Sequence, residues 1–194
     1  RAALARIPTG TVHGTYSRCV EFRHLAGASG PSRAGPLWGM GSRMHGGRFT
    51  PKGAFETIYL AEDPITALAE VALVFLGPRG SLLGGRNPPW VLVSVEGLLL
   101  KVLDLTDPAK REAIGTNVQE LTGAWLPVQA EGNEAPTQVL GRVCHETGRF
   151  DGIRYPSGKN PLLGVCLAVF PDRLREPASL RVYDPYGRLA QRLP

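Results

Sequence analysis

An α+β fold is what this sequence predicts, and three observations carry that prediction. Runs of β-branched and aromatic residues outnumber helical runs. The helical runs do not alternate regularly with them, as a doubly wound parallel sheet would require. The apolar share is 43% over 194 residues, enough for one packed core without metal or disulfide staples. No apolar run approaches the ~20 residues needed to span a bilayer, and no secretory leader pattern opens the sequence. The expectation is a single cytoplasmic domain over 1–194 with no membrane association.

The elements follow in order. "TVHGTYSRCVEF" (11–22) reads as a strand. Residues 25–47 are rich in Gly, Ser and Pro with no apolar period, and read as a long loop. "FETIYLA" (55–61) is a second strand. "DPITALAEVALVFL" (63–76) reads as a helix, capped by Asp63 with Pro64 at its first position. A Gly-Pro-Arg turn and "GGRNPP" precede two strands, "WVLVSVE" (90–96) and "LLLKVLDL" (99–105), which the glycine at 97 joins as a hairpin. Segment 107–133 is mixed, with a short helix around 109–114. Residues 135–148 read as a helix ending at Gly148, and strands follow at 150–157, 162–170 and 179–184.

Charge and cysteine usage narrow the function. The net charge is +5, and all but four of the 22 basic residues are arginine. Such a balance suits nucleic acid, an acidic partner or a phosphate-bearing ligand. No block of like charges forms a basic tail. Cys19, Cys144 and Cys166 lack Cys-x-x-Cys spacing, which favours buried thiols over disulfides or zinc. The histidines at 13, 24, 45 and 145 show no paired metal spacing, so no metal site is expected. Cys144 and His145 are adjacent on a helix and diverge, so they form no dyad. "GMGSRM" has methionine where a dinucleotide fingerprint needs its third glycine, "SGKN" is no phosphate-binding P-loop, and no Gly-x-Ser-x-Gly elbow occurs.

Arg48, Tyr59 and Glu70 stand eleven residues apart. Arg48 ends a Gly-lined approach, Tyr59 sits late on a strand, and Glu70 is almost the only charge on an otherwise apolar helix. A strand–turn–helix unit brings such positions together. One cation for a phosphate, one flat ring for a base and one carboxylate for a ribose or a cationic transition state make a coherent set. Arginine matches phosphate oxygens with its planar fork, and glycines at 46 and 47 would let a ligand approach the backbone. Against this stand blander readings: Glu70 and Thr66 as the wet face of a surface helix, and Tyr59 as ordinary core packing.

These residues resemble a known family, the RES domain of bacterial toxin–antitoxin systems. The resemblance rests on "GGRF" (46–49), "IYLAEDPITALAEV" (58–71) and "YPS" (155–157), in that order, with Arg18 in "TYSRCV" upstream, and it covers about residues 11–175. It implies an ADP-ribosyltransferase-like fold of the diphtheria-toxin type, an antiparallel-rich split β-sheet core with flanking helices. It implies an enzyme that takes NAD as substrate rather than as cofactor. Such an enzyme breaks the nicotinamide–ribose bond by hydrolysis or phosphorolysis; the alternative is a mono-ADP-ribosyltransferase that modifies a cellular protein. By motif position, Arg18 and Arg48 would hold the pyrophosphate and ribose region, and Tyr59 would contact the nicotinamide end. Glu70 would be the catalytic carboxylate beside Arg48, and Ser157 would sit near the phosphates or ribose. Arg23 and Arg43 are the other candidates for the first family arginine. The family has Trp then Asn after the motif arginine, where Phe49 and Thr50 stand here. The resemblance also implies an Xre-type antitoxin covering the active site, allows a homodimer within that complex, and gives no reason to expect direct nucleic-acid binding. A basic, non-enzymatic nucleic-acid or partner-binding module, built on Arg23, Arg33, Arg43 and Arg48, is the distant rival; few aromatics interleave those arginines.

Overall fold

The computed structural model describes residues 2–25, 34–76, 82–84, 89–160 and 164–194. The strands are β1 (Gly10–Glu21), β2 (Ile58–Ala61), β3 (Val74–Leu76), β4 (Leu82–Gly84), β5 (Trp90–Asp104), β6 (Gly152–Pro156), β7 (Val165–Val169), β8 (Ser179–Val182) and β9 (Arg192–Leu193). The helices are α1 (Ala2–Arg6), α2 (Met40–His45), α3 (Pro64–Glu70), α4 (Pro108–Ile114), α5 (Val118–Thr122), α6 (Trp125–Ala130) and α7 (Pro136–Thr147). The α+β class holds.

Seven strands form one sheet in the order β1-β2-β7-β6-β5-β8-β9, and β1 also pairs with β5. Five strands therefore close on themselves, and β8–β9 extend from β5. Among the described residues only β5–β6 is parallel. Strand alternation sends side chains to two apolar layers. One, with Phe49, Leu121, Cys144, Phe150 and Phe170, lies against the helices. The other, with Tyr16, Ile58, Val95, Leu99 and Leu180, fills the opposite face.

Two elements differ from their sequence expectation for physical reasons. No hairpin forms at Gly97, because β5 runs unbroken and Gly97 pairs with Gly14 of β1 and Leu180 of β8. A Cβ at Gly97 would lie 2.9 Å from the Tyr16 ring and 3.1 Å from Leu180. The glycine there makes room for a cross-strand tyrosine instead of turning the chain.

The helix expected over 63–76 starts as foreseen, with Asp63 accepting from the Thr66 amide at 2.8 Å and Pro64 at the first position. It stops at Glu70. The Ala72 amide reaches Ala69 O and the Leu73 amide reaches Leu68 O, both at 2.9 Å, the paired bonds of a Schellman stop. Ala72 takes the left-handed position at φ 57°, where glycine is usual, and the chain continues into β3.

The expected loop 25–47 contains α2, while its residues 26–33 lie outside the described residues. The expected turns at 77–79 and 84–89 and the start of the strand at 162 fall largely outside them as well. The mixed segment resolves into α4, α5 and α6, and α7 ends at Gly148 with φ 64°.

Gly97→Val should lower the unfolding free energy by about 1–3 kcal/mol through overpacking, read as a fall in the urea midpoint at unchanged slope. Ala72→Gly should relieve about 1 kcal/mol of left-handed strain and raise the melting temperature by about 2–4 °C in a chain of this size. An unchanged or lower melting temperature would mean that the Ala72 conformation is not strained.

Candidate active site

The cleft opens where β1 and β2 part. They share one paired position, Ser17 with Ala61, after which β1 stays with β5. Ala61 pairs in turn with Cys166 of β7, and Cys166 with Tyr155 of β6. This row of Ser17, Ala61, Cys166 and Tyr155 lines a cleft of about 330 Å³, together with Arg18, Cys19, Gly46, Gly47, Arg48, Tyr59, Glu70 and Trp125. Four of the residues expected from sequence thus meet here: Arg18, Arg48, Tyr59 and Glu70.

Arg48 sits on a tight turn closed by two backbone bonds between Gly47 and Thr50, at 2.8 and 3.1 Å. The next residue, Phe49, is fully buried against the helices, an anchor of about 1.5–3 kcal/mol for a side chain of this size. The Arg48 Nη1 donates to Leu121 O and Gly123 O, both at 2.8 Å. Both acceptors are neutral, so the charge is oriented but not cancelled. Nε and Nη2 have no partner among the described residues, and no ion pair joins Arg48 to Glu70. A buried guanidinium beside a cleft, with no ion-pair partner among the described residues, has the chemistry to receive an anion. Gly158 is bare because a Cβ there would stand 2.8 Å from Thr122 O and 3.2 Å from Arg48 Nη2.

Tyr59 lines the cleft with its ring and ties its hydroxyl to the Arg48 turn. The oxygen accepts from the Phe49 amide at 2.9 Å and lies 3.1 Å from Thr50 Oγ1. Burial pushes its pKa up to about 12, so it stays a neutral phenol. The space beside Gly47 belongs to this ring, since a Cβ would lie 2.6 Å from the hydroxyl oxygen. Gln129 occupies the space beside Gly46 in the same way. Both glycines border the cleft, yet their bareness serves Tyr59 and Gln129 rather than ligand access.

Glu70 ends α3, where a carboxylate faces the negative end of the helix and gains nothing from it. Its Oε1 accepts from Ser157 Oγ at 2.5 Å and lies 3.8 Å from the Cys166 sulfur. Ser157 is fully buried and does not line the cleft. Its oxygen also accepts from the amides of Lys159 and Asn160, at 3.1 and 2.9 Å. The serine expected beside the substrate therefore stands behind the carboxylate and orients it.

Arg18 borders the cleft half-buried, with Nη1 and Nη2 donating to Pro36 O at 2.7 Å and Trp38 O at 2.8 Å. Burial lowers its pKa to about 10, so it remains a cation at neutral pH. It pins the segment before α2 to the sheet. Among its rivals, Arg23 is exposed and pairs with Glu21 at 2.6 Å. Arg43 lies on α2 and is not among the residues lining the cleft.

Tyr155 registers the shared field of the site. Its hydroxyl is raised well above the usual phenol range by burial, then by Cys166, Glu70 and Tyr59, against a lowering by Arg48. Burial also raises the thiols, Cys19 to about 11 and Cys144 to about 12, so both stay protonated. All three cysteines are unbridged, and among the described residues no group of His, Cys, Asp and Glu could hold a metal ion.

Sequence reasoning missed Trp125, which stands in a segment without periodicity. The only signal was a lone tryptophan between Gly-Ala and Leu-Pro.

A cleft with an uncancelled cation, an oriented carboxylate and aromatic walls defines an α+β protein suited to a ligand with anionic groups and flat rings. The chain belongs to the RES domain family, which it matches over residues 21–191. It is 33% identical over 100 residues to the NAD(+) phosphorylase MbcT of Mycobacterium tuberculosis (strain ATCC 25618 / H37Rv), and equally to that of Mycobacterium bovis. That match covers 51% of this chain and 54% of the relative, so the chain spans about half the length of the curated relatives it matches. Its fold is similar to a chain in the crystal structure of the M. tuberculosis MbcT–MbcA toxin–antitoxin complex. The TM-score is 0.61 at 21% identity, over 94% of this chain and 88% of that one.

Ser157→Ala should cost about 1–3 kcal/mol of stability by leaving two amides and the Glu70 oxygen without their partner. Chemical denaturation at neutral pH measures this, and a loss well below that range would show that the serine does not organise the 157–160 loop.

Proposed function

We propose that this protein cleaves the nicotinamide–ribose bond of NAD, with phosphate or water as acceptor, as the toxin of a toxin–antitoxin pair. The observation that carries the reading is the pairing of an uncancelled Arg48 with a Ser157-oriented Glu70 in one cleft. The family, and relatives named as NAD(+) phosphorylases, support it. The finer fold reading that goes with it is the ADP-ribosyltransferase-like architecture of the diphtheria-toxin type. An Xre-type antitoxin covering the cleft and a cytoplasmic location complete the proposal. Among the described residues no helix is long and apolar enough to cross a membrane.

The chemistry balances simply. The bond from the ribose anomeric carbon to the nicotinamide nitrogen breaks, and its electron pair neutralises the leaving ring, so no proton is needed there. Positive charge develops on the ribose and is relieved when a phosphate or water oxygen bonds the anomeric carbon and loses its proton to solvent. Glu70 meets the developing charge, a contribution of about 3–4 kcal/mol for one well-aimed group. Glycoside hydrolysis passes through a similar state with two carboxylates; here the neutral leaving group removes the need for an acid. Arg48 holds the anionic diphosphate, so that binding energy remote from the bond positions it. Arg18 spends two of its N–H donors on carbonyls and can join it with those that remain.

Chromatography of NAD incubated with the protein, with and without inorganic phosphate, tests the reading. Nicotinamide should be released, and Glu70→Gln should slow release about 10²–10³-fold with the melting temperature retained. Phosphorylated ADP-ribose marks phosphorolysis and free ADP-ribose marks hydrolysis. A labelled protein band from labelled NAD and cell lysate would instead establish the protein-directed transferase. Intact NAD under all conditions would sink the enzymatic reading.

A further inference from the structure

We propose that Gln138, on α7, is a positioning residue for Arg48, acting through the turn that carries it; for the reaction, this rests on the reading of the cleft as an NAD site. Gln138 is 1% exposed, and a buried amide is costly unless its donors and acceptor are all engaged. Its Oε1 accepts from the Ala135 amide at 3.0 Å, which fixes the direction of the NH₂ group. Nε2 then reaches Gly47 O at 3.1 Å, Thr50 O at 3.3 Å and Gln129 Oε1 at 2.8 Å. Gly47 and Thr50 are the two ends of the Arg48 turn. Gln129 in turn donates to His45 O at 2.9 Å. Two amides thus hold the chain at positions 45, 47 and 50, on both sides of the arginine.

A second, independent contact shows that α7 is the bed of this turn. Gly141 lies three residues after Gln138 and so shares its helix face. A Cβ at Gly141 would stand 1.9 Å from Phe49 O, so the backbone between Arg48 and Thr50 rests directly on the helix. The turn has its own closing bonds and the Phe49 anchor, and it forms without Gln138. What Gln138 adds is the angle at which the turn sits on α7, and hence where the guanidinium enters the cleft. A displacement of about 1 Å in such a group can cost on the order of 10²-fold in rate.

The test compares Gln138→Met, which keeps the volume and removes the amide, in the wild-type and Arg48→Lys backgrounds. The value of kcat/KM for NAD cleavage should fall about tenfold in the first background and be unchanged in the second, as expected for groups coupled through one backbone turn. Amide hydrogen exchange should quicken at residues 46–50 and stay as in wild type elsewhere. Gln129→Met, which removes the bond to His45 O and one acceptor of Gln138 but leaves both Gln138 bonds to the turn carbonyls, should show the same local effect more weakly and guards against a Gln138 variant that fails to fold. An equal loss in both backgrounds, or unchanged exchange at 46–50, overturns the proposal. If wild-type protein leaves NAD intact, the functional reading fails by itself. The exchange measurement then decides the placement of Arg48 alone: quickened exchange supports it and unchanged exchange overturns it.

Discussion

A buried guanidinium held by two peptide carbonyls is the constraint around which much of this fold is arranged. Carbonyl dipoles orient a cation without neutralising it, so Arg48 keeps its field for whatever enters the cleft. Holding it demands that distant parts of the chain arrive together. The last turn of α5 must present Leu121 O and the α5–α6 connection Gly123 O, and the loop after β6 must pass close enough that only glycine fits at 158. Phe49 must be sunk in the core to give the turn a fixed root. Removing any one of these loosens the hold on a buried charged side chain, which is costlier than losing an ordinary surface contact.

The acid side of the cleft is built on different terms. Glu70 closes a seven-residue helix, a place where the backbone partial charges are unfavourable to a carboxylate. Compensation comes from Ser157, whose hydroxyl donates to Glu70 while its oxygen gathers two loop amides. One side chain therefore sets both the carboxylate and the loop that crowds Arg48, through Gly158. The Schellman stop at Ala72 fixes where the helix ends, and so which residue stands at its rim. Had the helix run on to 76, Glu70 would lie mid-helix, away from the end that faces the sheet.

What the sequence made legible and what it hid follow from how far each determinant acts. The positions of β1, β2, β6, β7 and β8 could be read from their β-branched and aromatic runs, whereas β3 lies in a run that reads as helix and β4 and β9 in stretches with no strand pattern. Tyr59 and Glu70 could be read because one strand–turn–helix unit places them, whereas Arg48 reaches them from a separate turn between Gly47 and Thr50. Gly97 misled, since its reason for being glycine is a tyrosine on another strand and not the local backbone. The end of α3 was hidden because alanine stands where glycine would announce the stop. The carbonyl partners of Arg48 lie 73 and 75 residues away, and Gln138 sits 91 and 88 residues from its two turn carbonyls. Trp125 and Gln129 lie in a segment with no apolar period. Local pattern can nominate a functional side chain; only the closed sheet and the packing of α7 decide what holds it.

The cleft keeps two opposite charges near each other without letting them pair. Each is satisfied from behind, Arg48 by neutral carbonyls and Glu70 by a neutral hydroxyl, and neither spends its charge on the other. Pairing them would lower the energy of the empty protein and raise the cost of admitting a ligand, since the pair would have to be broken first. Kept apart, they suit a molecule whose own charges have the reverse arrangement. On the proposed reading NAD is such a molecule, with an anionic diphosphate at one end of the reacting ribose and a cationic ring on the other. As the ring leaves neutral, the positive charge passes to the ribose carbon, so the carboxylate is needed most in the transition state and the guanidinium equally throughout. On that reading rate falls to Glu70 and placement to Arg48, and the heavier scaffolding, from α5 to α7, stands around the residue that places the substrate.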